Sequence, residues 1–279
     1  MTRLPWLTAA LVLAGCAGPH APEPAPAVAY AAPATPVYAA TDTVRYVIRA
    51  GDAGSVDTRS GYTATMRLDF QPDSGDYRVT ATLLKFDGTF SSPMAGSATA
   101  DEHGVQGPFV VRVSPLGHMD PVQAPALSDA FQQVTGAEAL VRNFFVRLPG
   151  RPVHAGDTWT DTIMNQDTSA GMTTDSRSIL TATAMGDTSV QGRTLLLVRT
   201  RYTNTVHVAG GSGTTRIDQR LQGTTTGTFL WDVGRHLLAE RKEHGSLTGT
   251  LDLPAMNVAG LPVHAEVHRH VRLLRATPD

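Results

Sequence analysis

Apolar and polar residues alternate along most of the chain from residue 42 onward, and this period of two limits most strongly what the chain can fold into. In one such run, from Tyr62 to Phe70, apolar residues occupy positions 62, 64, 66, 68 and 70, and polar residues occupy positions 63, 65, 67 and 69. Because successive side chains of a strand point to opposite faces of its sheet, each run predicts a strand with one buried face. The chain is therefore predicted to form a mainly β domain of long antiparallel strands.

Segments rich in glycine and aspartate separate these runs and predict tight turns. Residues 73–76 read Asp-Ser-Gly-Asp and divide two long runs, so residues 61–90 are predicted to form a hairpin. Residues 210–213 and 232–235 have the same character, and a last alternating run covers residues 263–274. Strands joined by short turns of this kind pair in antiparallel fashion.

One segment in the middle of the chain departs from the period of two. Between Pro125 and Phe145 the apolar residues fall at helical spacing, and Gly136 divides them, which predicts a two-helix insert at about residues 126–146. Two β-rich halves joined by helices are compatible with a curved sheet or half-barrel whose concave side holds a ligand. They are equally compatible with a filled sandwich whose helices complete the core.

The N-terminal residues have the pattern of an export signal. Residues 1–15 combine a charged start at Arg3, a short apolar stretch and small residues, as signal peptides do. The stretch is shorter than the roughly 20 apolar residues that span a bilayer. Residues 13–16, Leu-Ala-Gly-Cys, resemble the lipobox of bacterial lipoproteins. That resemblance implies cleavage before Cys16 and its lipidation, with acyl chains such as palmitate anchoring the protein to a membrane.

The residues after Cys16 indicate where the protein lies and how it is tethered. In the lipoprotein family an aspartate at this place favours the inner membrane, and this chain has Ala17, so the resemblance implies the outer membrane, facing the periplasm. Residues 16–41 are rich in alanine and proline, which predicts an extended tether ahead of a single domain at 42–279. The domain has no cysteine of its own, because Cys16 is the chain's only one.

The overall charge excludes one class of partner. The formal net charge is −2 over 279 residues, which provides no field to attract nucleic acid. The partners we expect are the membrane, through the lipid anchor, and either a lipid or other apolar ligand or another protein of the envelope. No cofactor is predicted.

Residues 148–159 contain the clearest motif of the domain. They resemble a phrase, LPxxxVxxGDxW, that recurs in exported β-rich bacterial proteins of unknown function. This resemblance implies a fold and an envelope location but no reaction. Physically, Gly156 and Asp157 predict a tight turn whose amides the carboxylate caps, and Trp159 predicts a large ring buried at the start of a strand. We interpret all three as structural residues.

Histidines near the C-terminus suggest an alternative function. His264, His268 and His270 share one face of the last predicted strand, since alternate positions point the same way. Antiparallel pairing with the preceding strand would bring His244 opposite or diagonal to His268. Histidines arranged in this way can hold zinc, which would favour a metal-assisted hydrolase. The plainer interpretation is the polar outer face of a half-buried strand.

Other signatures of catalysis do not occur in the sequence. It has no G-x-S-x-G, H-E-x-x-H, P-loop or Rossmann glycine pattern. We therefore expect a non-catalytic, membrane-anchored lipoprotein of the periplasm. It would bind an apolar or amphipathic ligand or act as an adaptor in the cell envelope.

Overall fold

A computed structural model describes residues 27–31, 35–49, 51, 54–169, 172–211 and 216–277. The predicted signal segment at 1–15 and the lipidation residue Cys16 lie outside these described residues. Within the described part of the chain, no helix is both long enough and apolar enough to cross a membrane.

Strands dominate both halves of the described chain. The first half contains β1 (Thr35–Arg49), β2 (Ser55–Asp73), β3 (Asp76–Ser92), β4 (Gly96–Asp101), β5 (Val105–Gln106), β6 (Phe109–Val113), β7 (Met119–Gln123) and β8 (Ala126–Leu127). Two short helices follow, α1 (Asp129–Val134) and α2 (Ala137–Arg142). The second half contains β9 (Thr158–Ser169), β10 (Met172–Val190), β11 (Arg193–Gly210), β12 (Ile217–Asp232), β13 (Leu237–Leu253) and β14 (Val258–Thr277).

Twelve of these strands form one antiparallel sheet in the order β7-β6-β3-β2-β1-β14-β13-β12-β11-β10-β9, with β4 paired to β3 beside this path. Strands β5 and β8 form a separate two-stranded sheet. The prediction of a mainly β fold with long antiparallel strands is confirmed. Because one sheet contains nearly all the strands, the fold corresponds to the curved-sheet alternative and not to a sandwich of two sheets.

The sheet is strongly curved but, within the described residues, does not close into a barrel. A flat sheet of this order would place its edge strands β7 and β9 about 48 Å apart, at about 4.8 Å per strand. Instead, the Nε2 of His118, next to β7, lies 3.9 Å from the Oδ2 of Asp161 on β9. Tyr46 on β1 is hydrogen-bonded to Gln219 on β12 across the two strands between them. The inner face is therefore concave, and its two edges approach each other along a line that we call the seam.

The two helices pack on the concave face and complete its core. Ser128 caps α1 by accepting the N–H of Phe131 at 3.3 Å. The Phe131 ring lies 4.3 Å from that of Phe86 on β3, between ring centroids, and both Leu140 and Val141 of α2 are fully buried. The prediction of a two-helix insert at about residues 126–146 is confirmed for its helices, which lie at Asp129–Val134 and Ala137–Arg142 on either side of Gly136, whereas Ala126–Leu127 is strand β8.

The folded domain begins earlier than the predicted boundary at residue 42. Strand β1 starts at Thr35 and Tyr38 is only 1% exposed, so the prediction of a tether over the whole of 16–41 is wrong. Ahead of β1, the Tyr30 ring meets that of Trp231 edge-on at 4.9 Å between centroids, and its hydroxyl accepts the N–H of Val146. The proline density led to the prediction, but a few large apolar side chains are enough to fix a segment to a core.

Each predicted turn is present if the structure describes all of its residues. Strand β2 ends at Asp73 and β3 begins at Asp76, with φ of 53° at Ser74 and 94° at Gly75. Glycine suits such a turn because it adopts positive φ without steric cost. The turn at 232–235 joins β12 to β13, whereas the one predicted at 210–213 falls partly outside the described residues.

Candidate functional site

The turn before β9 contains two of the residues predicted to be structural. Gly156 has a φ of 94°, and the N–H of Asp157 donates to the carbonyl of His154 at 3.0 Å. The Asp157 carboxylate accepts the N–H of His154 at 3.1 Å and the Nη1 of Arg151 at 3.0 Å. These bonds hold the pKa of Asp157 below its usual value. The structure thus places Gly156 and Asp157 in a turn that the carboxylate caps.

Trp159 lies at the start of β9 beside this turn. Its ring packs against the core but is only partly buried, and its Nε1 donates to the carbonyl of Arg147 at 3.2 Å. We expected a buried ring; part of it stays exposed because β9 is an edge strand of the sheet. The ring therefore ties this edge strand to the segment that follows α2.

The C-terminal histidines lie on the outer, convex face of the sheet. His244 of β13 stands directly opposite His268 of β14, which is the pairing that the alternation predicts. Both side chains are exposed. The two imidazoles therefore neighbour each other on a surface that faces water.

The other two histidines are paired separately with carboxylates. His270 lies 2.8 Å from Glu240, and His264 lies 3.2 Å from Glu266, between ring nitrogen and carboxylate oxygen in each case. In the part of the chain that the structure describes, no three histidine, cysteine, aspartate or glutamate residues are grouped so that they could hold a metal ion. The structure brings His244 and His268 together but keeps His264 and His270 in pairs of their own.

A network of buried charged residues, which our sequence analysis missed, lies on the opposite, concave face. Asp42 of β1 is 7% exposed, and its Oδ2 accepts the Nε of Arg269 on β14 at 3.0 Å. The same oxygen accepts the Nδ2 of Asn143, the residue after α2, at 3.0 Å. That amide nitrogen also lies 2.7 Å from the hydroxyl of Tyr62, whose pKa is raised by burial and by the Asp42 charge. This half of the network ties β1, β2 and β14 to the end of the insert.

The network continues through Glu243 on β13. Its carboxylate lies 2.7 Å from the Nη2 of Arg241 and 3.3 Å from the Nη1 of Arg269. Arg241 in turn donates its Nη1 to the main-chain carbonyls of Asn143 and Phe145, both at 3.2 Å. Burial by itself would lower the pKa of Arg241, but the Glu243 carboxylate together with Tyr202 and Tyr30 raises that pKa above its usual value. We name the closed set the buried charge ring; it consists of Asp42, Asn143, Arg241, Glu243 and Arg269.

The alternation of β13 and β14 carries a signal for this ring. Odd-numbered positions of these strands face the core, as the buried Val263 and Ala265 show. Arg241, Glu243 and Arg269 also occupy odd positions, so they are charged residues where the pattern requires apolar ones. Because a buried charge needs a partner, such exceptions predict a buried ion pair. The apolar residues of the pattern alone do not reveal the ring.

A cavity of about 220 Å³, which we call the inner cavity, lies between the insert and the concave face beside the buried charge ring. Its charged lining consists of one carboxylate, that of Glu243, and the four arginines Arg142, Arg147, Arg241 and Arg269. Two nitrogens of these arginines, the Nη1 of Arg147 and the Nε of Arg241, are buried without a hydrogen-bond partner. Its volume is below the roughly 300 Å³ of the smallest typical ligand pockets, so it fits part of a molecule.

A second space of about 550 Å³, the seam groove, runs between β6 and β7 on one side and β9 and β10 on the other. One part of its lining is apolar and includes Phe109, Val111, Leu127 and Val141. The other part is polar and includes Asn165, Asp167, Thr174 and Ser176. Ala139, Arg142 and Asn165 line both the seam groove and the inner cavity, so the two spaces adjoin at α2. The volume of the groove lies within the usual range for ligand pockets.

The combined site is equipped to bind a molecule that is apolar at one end and polar at the other. Among the described residues that line the two spaces there is no histidine or cysteine. Their polar groups are guanidinium, amide, hydroxyl and carboxylate groups, which recognise a ligand through hydrogen bonds and charge. No model of a known protein family matches this chain, and a search of the curated proteins found no match either.

Proposed function

We propose that this chain is a lipid-anchored protein of the bacterial cell envelope that binds an amphipathic molecule and catalyses no reaction. The observation that carries the proposal is the seam groove, a space of about 550 Å³ with an apolar and a polar lining that adjoins the inner cavity. An apolar tail gains by leaving water for the apolar lining. The polar end of the same molecule keeps its hydrogen bonds in the inner cavity, so neither end is buried against its preference.

The lipid anchor at Cys16 is part of this proposal. Acyl chains there would hold the protein at the outer membrane, with the folded domain in the periplasm. Val28 is only 2% exposed and so belongs to the folded domain. The short chain between Cys16 and Val28 would keep the domain within about 40 Å of the anchor, at roughly 3.4 Å per extended residue. A ligand could then pass between the membrane surface and the seam groove over a short distance.

The proposal is tested by titrating the protein with the uncharged fluorescent probe N-phenyl-1-naphthylamine, whose emission rises in apolar surroundings. We expect a saturable rise for the Cys16→Ser protein, which is soluble under the proposal. Ala139 is an exposed residue of α2 that lines both spaces. Ala139→Trp should therefore fill the site without disturbing the core, and it should weaken probe binding by about tenfold or more.

A matched control is available at a residue that lines neither space. Ala255 is exposed in the turn between β13 and β14 and lines neither space. Ala255→Trp adds the same indole ring and should bind the probe as the parent protein does. Equal binding by the Ala139→Trp variant, or no saturable binding at all, would contradict the proposal, and the latter would favour the role of an envelope adaptor.

A further inference from the structure

We propose that the bound molecule is an anionic amphiphile whose head group enters the inner cavity beside Arg142 and Arg147 while its acyl chain lies along the seam groove. This inference rests on the ligand-binding function proposed above. It adds the charge of the ligand and the residues that recognise it.

The distribution of charge around the inner cavity is the first argument. Four guanidinium groups line the cavity with only one carboxylate, Glu243. The other carboxylates that pair with these arginines, those of Glu138, Asp161 and Asp42, are not part of its lining. A head group inside the cavity therefore meets more positive than negative charge at close range.

Within this set, two arginines are already committed to the buried charge ring. Arg241 and Arg269 both contact Glu243, at 2.7 Å and 3.3 Å, and Arg269 also binds Asp42 at 3.0 Å. The ring thus contains two guanidinium groups and two carboxylates and is neutral as a whole. The remaining pair, Arg142 and Arg147, lies outside this ring, and the carboxylate partner of each, Glu138 and Asp161, lies outside the cavity lining.

Arg147 has donor capacity to spare. Its Nε lies 3.4 Å from the Oδ2 of Asp161, but its Nη1 is buried and has no hydrogen-bond partner. The side chain is 15% exposed, and burial lowers its pKa relative to that of a free guanidinium. A buried N–H without an acceptor is unfavourable, so an anionic oxygen placed there would gain a charge-assisted hydrogen bond.

Arg142 lies where the two spaces adjoin. It belongs to α2, pairs with Glu138 one turn earlier and lines both the inner cavity and the seam groove. Its side chain is 32% exposed, so it is accessible to a ligand in the groove. The Nε of Arg241, nine-tenths buried and without a partner, adds a further donor in the cavity wall. Arg142 and Arg147 are the positively charged groups that a carboxylate or phosphate head would meet first.

The test measures displacement of N-phenyl-1-naphthylamine from the Cys16→Ser protein by three amphiphiles with the same chain: dodecanoate, dodecyl phosphate and dodecanol. We expect both anions to displace the probe at about tenfold lower concentration than the alcohol, the effect of one charge-assisted hydrogen bond. The anion that displaces the probe at the lower concentration identifies the head group that the site prefers. Arg147→Gln should remove the preference for anions, Arg147→Lys should keep most of it, and Arg45→Gln on the outer face should leave it unchanged.

The outcomes separate this inference from the function on which it rests. If the probe binds and Ala139→Trp abolishes its binding, but dodecanol competes as well as dodecanoate, the anionic ligand is refuted and the binding function stands. If the probe does not bind in a saturable way, the binding function itself fails. If the Arg147→Gln protein does not unfold cooperatively on heating, and so is not folded, the Arg142→Gln variant is tested in its place. An unchanged preference for anions in the Arg142→Gln variant would refute the inference.

Discussion

The buried charge ring fixes the insert over the inner cavity, and replacing Arg241 by methionine tests how much stability it provides. The substitution removes the partner at 2.7 Å from Glu243 and the donor to the carbonyls of Asn143 and Phe145. Breaking a buried ion pair costs about 3 to 5 kcal/mol, because one charge is left uncompensated. Since Arg269 remains 3.3 Å from Glu243, we expect the lower end, about 3 kcal/mol.

Urea unfolding followed by tryptophan fluorescence measures this loss. With an m value of about 2 to 3 kcal/mol per molar, a loss of about 3 kcal/mol lowers the midpoint by roughly 1 M. The double variant Arg241→Met, Glu243→Gln should regain part of the loss, because it removes the buried carboxylate, whereas the carbonyls of Asn143 and Phe145 still lack the Arg241 donor. Arg45→Met is the matched control, since Arg45 pairs with Asp57 at 2.9 Å on the exposed face, and its midpoint should not move measurably. An Arg241→Met protein that unfolds at the parent midpoint would refute this reasoning.

Three further predictions concern residues singled out from the sequence. Cys16→Ser should release the protein from membrane fractions without unfolding it; a variant that still pellets with membranes and resists a salt wash would contradict lipidation. Trp159→Ala should lower the free energy of unfolding in urea by about 2 kcal/mol, which is less than the roughly 3 to 5 kcal/mol for a fully buried ring. Asp157→Asn should change the unfolding midpoint little, and a larger effect of Asp157→Asn than of Trp159→Ala would contradict the turn described. Replacing both His268 and His270 by glutamine should leave stability and probe binding unchanged. Zinc that stays bound to the parent protein during dialysis against a chelator, and is lost from the double variant, would instead support the function of a metal-assisted hydrolase.

The sequence predicts the sheet well because strand alternation is a local property. The hairpin at residues 61–90 and the pairing of His244 with His268 both follow from a period of two combined with short turns. The start of the domain could not be found in this way. Tyr30 and Tyr38 are buried by contacts with residues far along the chain, such as Trp231 and Phe144, and no local pattern marks them.

The candidate site is less accessible to sequence reasoning than the sheet is. The seam groove exists because curvature brings β9 and β10 close to β6 and β7, which are far from them in the sheet order. Curvature depends on twist and bulges summed over many strands, and a single run of residues does not specify it. The buried charges of Arg241 and Arg269 were visible as exceptions to the alternation, but Asp42, the partner of Arg269, lies on a strand 227 positions away in the chain.

The most direct test of the central claim, that the seam groove holds an amphipathic ligand, is native mass spectrometry of the exported Cys16→Ser protein purified without detergent. We predict a non-covalent adduct with the mass of an amphiphile, present in the parent and in Ala255→Trp and lost in Ala139→Trp. An adduct that Ala139→Trp retains would place the ligand elsewhere. A bare protein in all three samples, or a zinc adduct instead of an organic one, would contradict the claim.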